Sequence, residues 1–312
     1  MKRKITKMLT GVMTAALLFG YGTAGTVFAA EEDVTPASLA EGAIEKLQEV
    51  DSYASEIGFV MDIGIGIEVE GETFNMGVLA DMGLDMEMTL DPEAAHMAGQ
   101  FSMATSMGDE DGEAETNAME TYFVKEDDGY ATYSYSQEDD LWTREVSDAD
   151  DSDDNEQTWE SVNAIFQGIA DGAMEAELTG EDTYNGEDVY VMTVLLSGEY
   201  LENTMNVGMG GEDSSLFGSD IDMDDLATPA MIMIYKESGL PALVSIDMSE
   251  IGAAMMESAM GLTEEDLEEI TFEVTIGDFG MDIAFFDYGA IGEITVPDEI
   301  KAAAVDADEL EE

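Results

Sequence analysis

The chain has 312 residues, with 73 Asp and Glu against nine Lys and Arg, one His and no Cys. The missing cysteine excludes disulfides, a thiolate nucleophile and thiolate metal sites. A formal net charge of −64 disfavours anionic polymers and anionic membranes as partners, and nucleic acid is set aside because the basic patch that supplies its affinity is absent.

Residues 1–29 read as a signal peptide. Lys2, Arg3, Lys4 and Lys7 precede an apolar run of 13 residues from Met8 to Gly20, and Val27-Phe28-Ala29-Ala30 suits cleavage after Ala29. Such a run is too short for a permanent membrane span. No later stretch is long enough for a transmembrane span, and no cysteine is available for a lipid anchor. The expected location is secreted, extracellular or cell-surface associated. Cleavage leaves Lys46, Lys125, Arg144, Lys236 and Lys301 against 73 acids, a balance of −68 over about 283 residues. Most carboxylates must then stand in water, where salt screens their mutual repulsion.

Thr35-Pro36 reads as an N-cap and first helical position. Leu39, Ala43, Ile44, Leu47 and Val50 follow at helical spacing. From Ile57 the period changes to two: Ile57, Phe59, Met61, Ile63, Ile65, Ile67 and Val69 are apolar, with small or acidic residues between most of them. The pattern restarts on even numbers from Phe74 through Met76, Val78, Ala80, Met82, Leu84, Met86 and Met88 to Leu90. A weaker run includes Met97, Phe101, Met103 and Met107. Alternation of this length predicts strands with one buried and one wet face, since a helix would send i and i+2 to opposite sides. Phe74–Leu90 would run roughly 55 Å if straight, so curvature is expected, with Gly58, Gly64, Gly66, Gly77 and Gly83 on the opposite face permitting it.

After the Asp91-Pro92 turn come strands around Met119–Lys125, Tyr130–Tyr135 and Trp142. An acidic loop insertion is expected over about 147–155. Trp159, Val162, Ile165, Phe166 and Ile169 then share a helical stripe that ends before Gly172. That stripe needs a cover, and the apolar sheet face is the available one. Strands are expected over Ala173–Thr179 and Val189–Leu196, joined by a hairpin at Asn185-Gly186. A second insertion is expected over about 208–228. The remaining strands are Ala230–Tyr235, Ala242–Met248, Ile270–Ile276 and Met281–Phe286, with a Met-rich segment, Ile251–Met260, between the second and third. Residues 305–312 read as a disordered acidic tail. With no long linker, residues 30–304 are expected to form a single domain.

The fold class that follows is α+β: a large curved antiparallel sheet with helices packed on its concave face. After the leader come 21 Met against 17 Leu, and methionine's unbranched, polarizable side chain suits an adaptable apolar surface.

The leader, first helix and long alternating strands resemble the LolA-like carriers and the mycobacterial LprG and LppX type. Tyr184-Asn185-Gly186-Glu187-Asp188-Val189-Tyr190-Val191-Met192, Tyr235-Lys236-Glu237-Ser238-Gly239-Leu240-Pro241 and Ile294-Thr295-Val296-Pro297-Asp298-Glu299-Ile300 add to the resemblance. The pattern is most similar to uncharacterised exported proteins of Gram-positive bacteria with that predicted fold. It implies a half-barrel wrapped around helices, with an apolar cavity for acyl chains.

Catalytic readings find little support. His96 is the only histidine, on the more polar face of its strand, so it can complete neither a Ser-His-Asp triad nor an imidazole metal site. Asp220–Asp225 and Asp109–Glu120 fail the EF-hand pattern, which needs Gly at position six and Glu at twelve. No catalytic residue, metal site or cofactor is assigned. The function expected is an exported non-enzymatic binding protein for an apolar or amphipathic, lipid-like ligand. Its candidate cavity residues are Phe59, Met61, Ile63, Met76, Val78, Met82, Met86, Met97, Phe101 and Met103. These would serve equally well as a closed core. The alternative is an acidic surface or interaction protein with such a core and weak divalent-cation binding.

Overall fold

The period-two runs form three long neighbouring strands: β1 (Ser52–Val69), β2 (Glu72–Leu90) and β3 (Glu93–Met107). The computed structural model describes residues 34–69, 72–107, 110–112, 114–126, 129–137, 139–147, 153–197, 200, 227–252 and 271–307. The expected signal peptide, most of the expected 208–228 insertion and most of the Met-rich segment lie outside these residues, as do 308–312 of the expected acidic tail. Residues 36–312 belong to one compact unit. Among the described residues no helix is long and apolar enough to cross a membrane.

Ten further strands complete the sheet: β4 (Glu110–Asp111), β5 (Glu115–Glu126), β6 (Gly129–Ser136), β7 (Leu141–Ser147), β8 (Glu175–Tyr184), β9 (Glu187–Ser197), β10 (Ala227–Tyr235), β11 (Pro241–Asp247), β12 (Thr271–Phe286) and β13 (Val305–Asp306). The order is β13-β7-β6-β5-β3-β2-β1-β12-β11-β10-β9-β8, with β4 on β3. Two antiparallel meanders thus meet where β12 returns to β1, and β7 and β8 stand far apart. Among the described strands only the two-residue β13 runs parallel to its neighbour, β7. This is the curved antiparallel sheet that the alternation predicts, left unclosed as the half-barrel that the resemblance implies. Asn185 and Gly186 both take positive φ, 51° and 88°, as the expected hairpin requires.

The predicted strands Ile270–Ile276 and Met281–Phe286 are in fact one, β12. A register shift opposite Met61 and Ile63 absorbs the glycine- and aspartate-rich break between them.

Helix α1 (Pro36–Leu47) starts at its predicted proline. Helix α2 (Asp153–Ala170) takes up the last three residues of the expected 147–155 loop and links β7 to β8 at opposite sides of the sheet. That connection carries it across the inner face, where its stripe Val162, Ile165, Phe166 and Ile169 is buried. Ala40, Ala43 and Leu47 of α1 join the same core, together with Tyr53, Met192, Ile232, Val244, Ile283 and Phe285.

A second core lies on the outer face, which the sequence reading does not anticipate. Ala94, Tyr122, Val124, Ala131 and Tyr133 are covered there by the C-terminal strap through Ile294, Val296, Ile300 and Ala304. The strap includes α3 (Asp298–Ala303), so this helix packs outside the sheet rather than on its concave face. Val305 and Asp306, expected in a disordered tail, pair with β7.

One ion cluster holds the strap. Glu126 accepts from Arg144 Nη2 at 2.8 Å and from the Tyr133 hydroxyl at 2.8 Å, while Arg144 Nη1 reaches Asp306 at 3.4 Å. The Arg144 hydrogen bond lowers the Glu126 carboxyl pKa, reinforced by Tyr133 and Lys301 against the opposing effect of burial. Burial instead raises Asp282 and, with Asp85, Glu56. The signs are opposite. Acidification from neutral pH first relieves the cost of charging Asp282 and Glu56, and the general repulsion with it. Glu126 contributes fully above the ordinary carboxylate range, and its contribution is lost as pH falls through its lowered pKa. Thermal stability is therefore expected to rise towards the carboxylate range and then fall below it. Arg144→Met should remove about 2 kcal/mol and flatten the acid limb, read by melting curves and by the fluorescence of Trp142 beside the strap.

One close backbone approach requires a glycine outside the expected set. A Cβ on Gly99 would collide with the carbonyl oxygen of Gly83 and the backbone of Leu84, whereas one on Gly83 meets open space. Gly99→Ala is expected to cost about 1–3 kcal/mol in urea unfolding, because backbone cannot step aside as a side chain can. Gly83→Ala should stay within about 0.5 kcal/mol.

Candidate functional site

Strand pairing aligns the alternating residues in rows across the inner face. Ile65, Met76 and Met107 form one row. Ile63, Val78 and Thr105 form the next, Met61, Ala80 and Met103 the one after it, and Phe59, Met82 and Phe101 the one below that. Ser55, Met86 and Met97 lie nearer the proximal end, where β1 begins. Since paired antiparallel residues share a face, the apolar positions of three strands make one continuous surface.

Along that surface the environment changes. Proximally, α1 and α2 fill the space. Phe59 is 8% exposed and meets Phe279 edge-on, with ring centroids 5.7 Å apart. Met86 is 7% exposed in the same core, and Met61, Met82 and Met97 pack against its margin. Ile63 is buried as well. Distally, the same face stands open: Phe74 is 56% exposed, Met76 39%, Met103 42% and Met107 74%. Val78 is half-buried between the Met76 and Met103 rows, and Phe101 is half-buried beside Met82 at the border of the filled region.

The ten sequence-derived candidates thus share one face but divide between two environments. Phe59, Ile63 and Met86 are closed in, with Met61, Met82 and Met97 at the core's edge. Met76, Val78, Phe101 and Met103 line the open part or its border. Phe74 and Met107, present in the alternation but left out of the candidate set, are the most exposed of its described side chains. Their strand-end positions were the available signal.

The polar groups of this face offer little chemistry. The buried Tyr53 hydroxyl donates to Met88 Sδ at 3.1 Å, and burial raises its pKa far above the ordinary tyrosine value. His96 lies on the outer face, stacked on Tyr122 with centroids 4.2 Å apart and its Nε2 3.2 Å from Glu120 Oε1. Burial and the Glu120 hydrogen bond push Tyr122 up to about 12. Among the described residues no group of three His, Cys, Asp or Glu side chains is placed to hold a metal ion.

The model of DUF6612, a family of unknown function, matches residues 35–305. Among curated proteins nothing matches the chain. Solved structures with some likeness include the lipoprotein LppX of Mycobacterium tuberculosis, at 11% identity and a TM-score of 0.38 over 85% of this chain and 100% of that one. LprF of Mycobacterium bovis follows at 10% identity and 0.34, over 84% of this chain and 96% of that one. A putative outer membrane lipoprotein-sorting protein domain from Vibrio parahaemolyticus gives 10% and 0.18, over 79% and 91%. With TM-scores this low, nothing about function passes from them to this chain.

Proposed function

We propose that this chain, which belongs to the DUF6612 family, is an exported, non-enzymatic binding protein for an apolar or amphipathic, lipid-like ligand. The ligand lies against the distal half of the inner face. One observation carries the reading: the apolar row pattern continues past the helix-filled core into a stretch where Phe74, Met76, Met103 and Met107 stay exposed. Scattered single apolar residues on a surface need no explanation, but a contiguous patch marks a place where something apolar is covered. Methionine there suits a ligand of irregular shape, since its unbranched chain readjusts at low cost. Met76, Val78, Phe101 and Met103 would touch the ligand directly, with Phe74 and Met107 at the mouth.

Native mass spectrometry of protein purified from its own host, with organic extraction of the same sample, tests this. The expected result is a co-purifying apolar molecule. A ligand-free protein that also excludes apolar dyes would overturn it.

A second reading is favoured by the filled proximal half, where Phe59 and Met86 serve as ordinary core. On that reading the protein is an acidic surface or interaction module that takes up divalent cations weakly. Calcium calorimetry separates the two, because stoichiometric heat belongs to the second and a featureless ionic-strength response does not.

A further inference from the structure

Ala80 interrupts a series of large side chains. From Phe74 to Leu90 the other inner-face residues of β2 are Phe, Met, Val and Leu. Ala80 is nevertheless only 1% exposed, so longer side chains close over its methyl group. Three of its four nearest inner-face neighbours are methionines. Met61 and Met103 stand on either side of it in its row, and Met82 is the next inward residue of its strand, with Val78 as the fourth. The backbones of Met61 and Met103 are two strand spacings apart, roughly 10 Å. Two methionine arms can lean towards each other across a methyl group at that spacing, whereas a larger residue at position 80 would hold them apart.

The setting is half-open. Met61 and Met82 pack against the margin of the filled core, which limits their freedom. Met103, 42% exposed, stands on the side that water reaches. The paired Met86 and Met97 differ, because Met86 is closed into the core at 7% exposure. Leucine would serve packing around Ala80 as well as methionine does. What methionine adds is a thioether, a soft, uncharged sulfur ligand that needs no deprotonation. Thioethers select Cu(I), while Cu(II), Zn(II) and Ca(II) call for imidazole, thiolate or oxygen ligands. Sulfur is the one donor type among the four side chains that border Ala80. The strongly negative chain draws cations towards its surface.

We infer that Met61, Met82 and Met103 form a three-sulfur site for one cuprous ion, at the border between the filled and open parts of the inner face. It stands apart from the apolar-ligand reading, because leucine keeps the surface apolar and removes only the sulfur. Titration of the full exported chain, under reductant, against the chromophoric Cu(I) chelator bicinchoninate tests this. One equivalent of copper should pass to the protein, with the same affinity at about pH 5.5 and about pH 7.5, since a carboxylate or His96 site would weaken on acidification. Met61→Leu, Met82→Leu and Met103→Leu should each weaken binding about tenfold or more, and the triple variant should abolish it. Met119→Leu, which removes a thioether of similar exposure outside the cluster, should change nothing. Unchanged urea midpoints show that each variant keeps its fold. X-ray absorption of the wild-type copper complex, which depends on no variant, should show sulfur neighbours alone. No transfer of copper from the chelator, wild-type affinity in the triple leucine variant, or a nitrogen or oxygen shell in place of sulfur would overturn the inference.

Discussion

Replacing Met76, Met103 and Met107 together by threonine is expected to weaken binding of an apolar ligand about 100-fold while leaving the fold intact. Each methionine is between 39% and 74% exposed in the free protein, so it adds little to folding and keeps much of its surface for a ligand to cover. Losing about 1 kcal/mol of apolar contact at each of three positions corresponds to roughly two decades of affinity. Threonine favours strands, so the loss falls on polarity rather than on backbone preference. Titration with a fluorescent fatty acid gives the affinity, and urea unfolding should move by less than about 1 kcal/mol. Unchanged affinity would remove the open face from the function. A large stability loss would mean that these side chains serve the core instead.

The second large effect belongs to the closed half. Phe166 is fully buried under the sheet, on the helix that joins β7 to β8. Phe166→Ala is expected to cost about 3–5 kcal/mol, the transfer of the ring plus the cavity it leaves. Because α2 packs against α1 and inner-face strands at once, unfolding should remain one cooperative transition with a lower urea midpoint. A loss below about 1 kcal/mol would show that the helix lies loosely on the sheet. In that case the proximal half would also be open to a ligand.

The two variants act on one surface with opposite consequences. Met86 differs from Met76 in what stands above it, not in parity, residue type or strand. Alternation identifies the face a side chain points to, because successive strand residues point to opposite sides. It carries no information about whether a helix reaches that far along the strand. The helices α1 and α2 span about 18 and 27 Å by their residue counts, too little to cover strands of 15 to 19 residues from end to end and side to side. The candidate set therefore mixed core and open surface.

The amino-acid sequence by itself determined the long strands, the face each residue takes, the Asn185-Gly186 hairpin and the helix whose stripe runs from Val162 to Ile169. All of these depend on local periodicity or on a residue's own backbone preference. Only the tertiary structure decided where the inner face is filled, that the strap builds an outer core, and that Glu126, Arg144 and Asp306 meet. Arg144 and Asp306 are 162 residues apart in the chain. Contacts of that kind follow from how the sheet curls and where the chain returns, and neither is written in the spacing of neighbouring side chains.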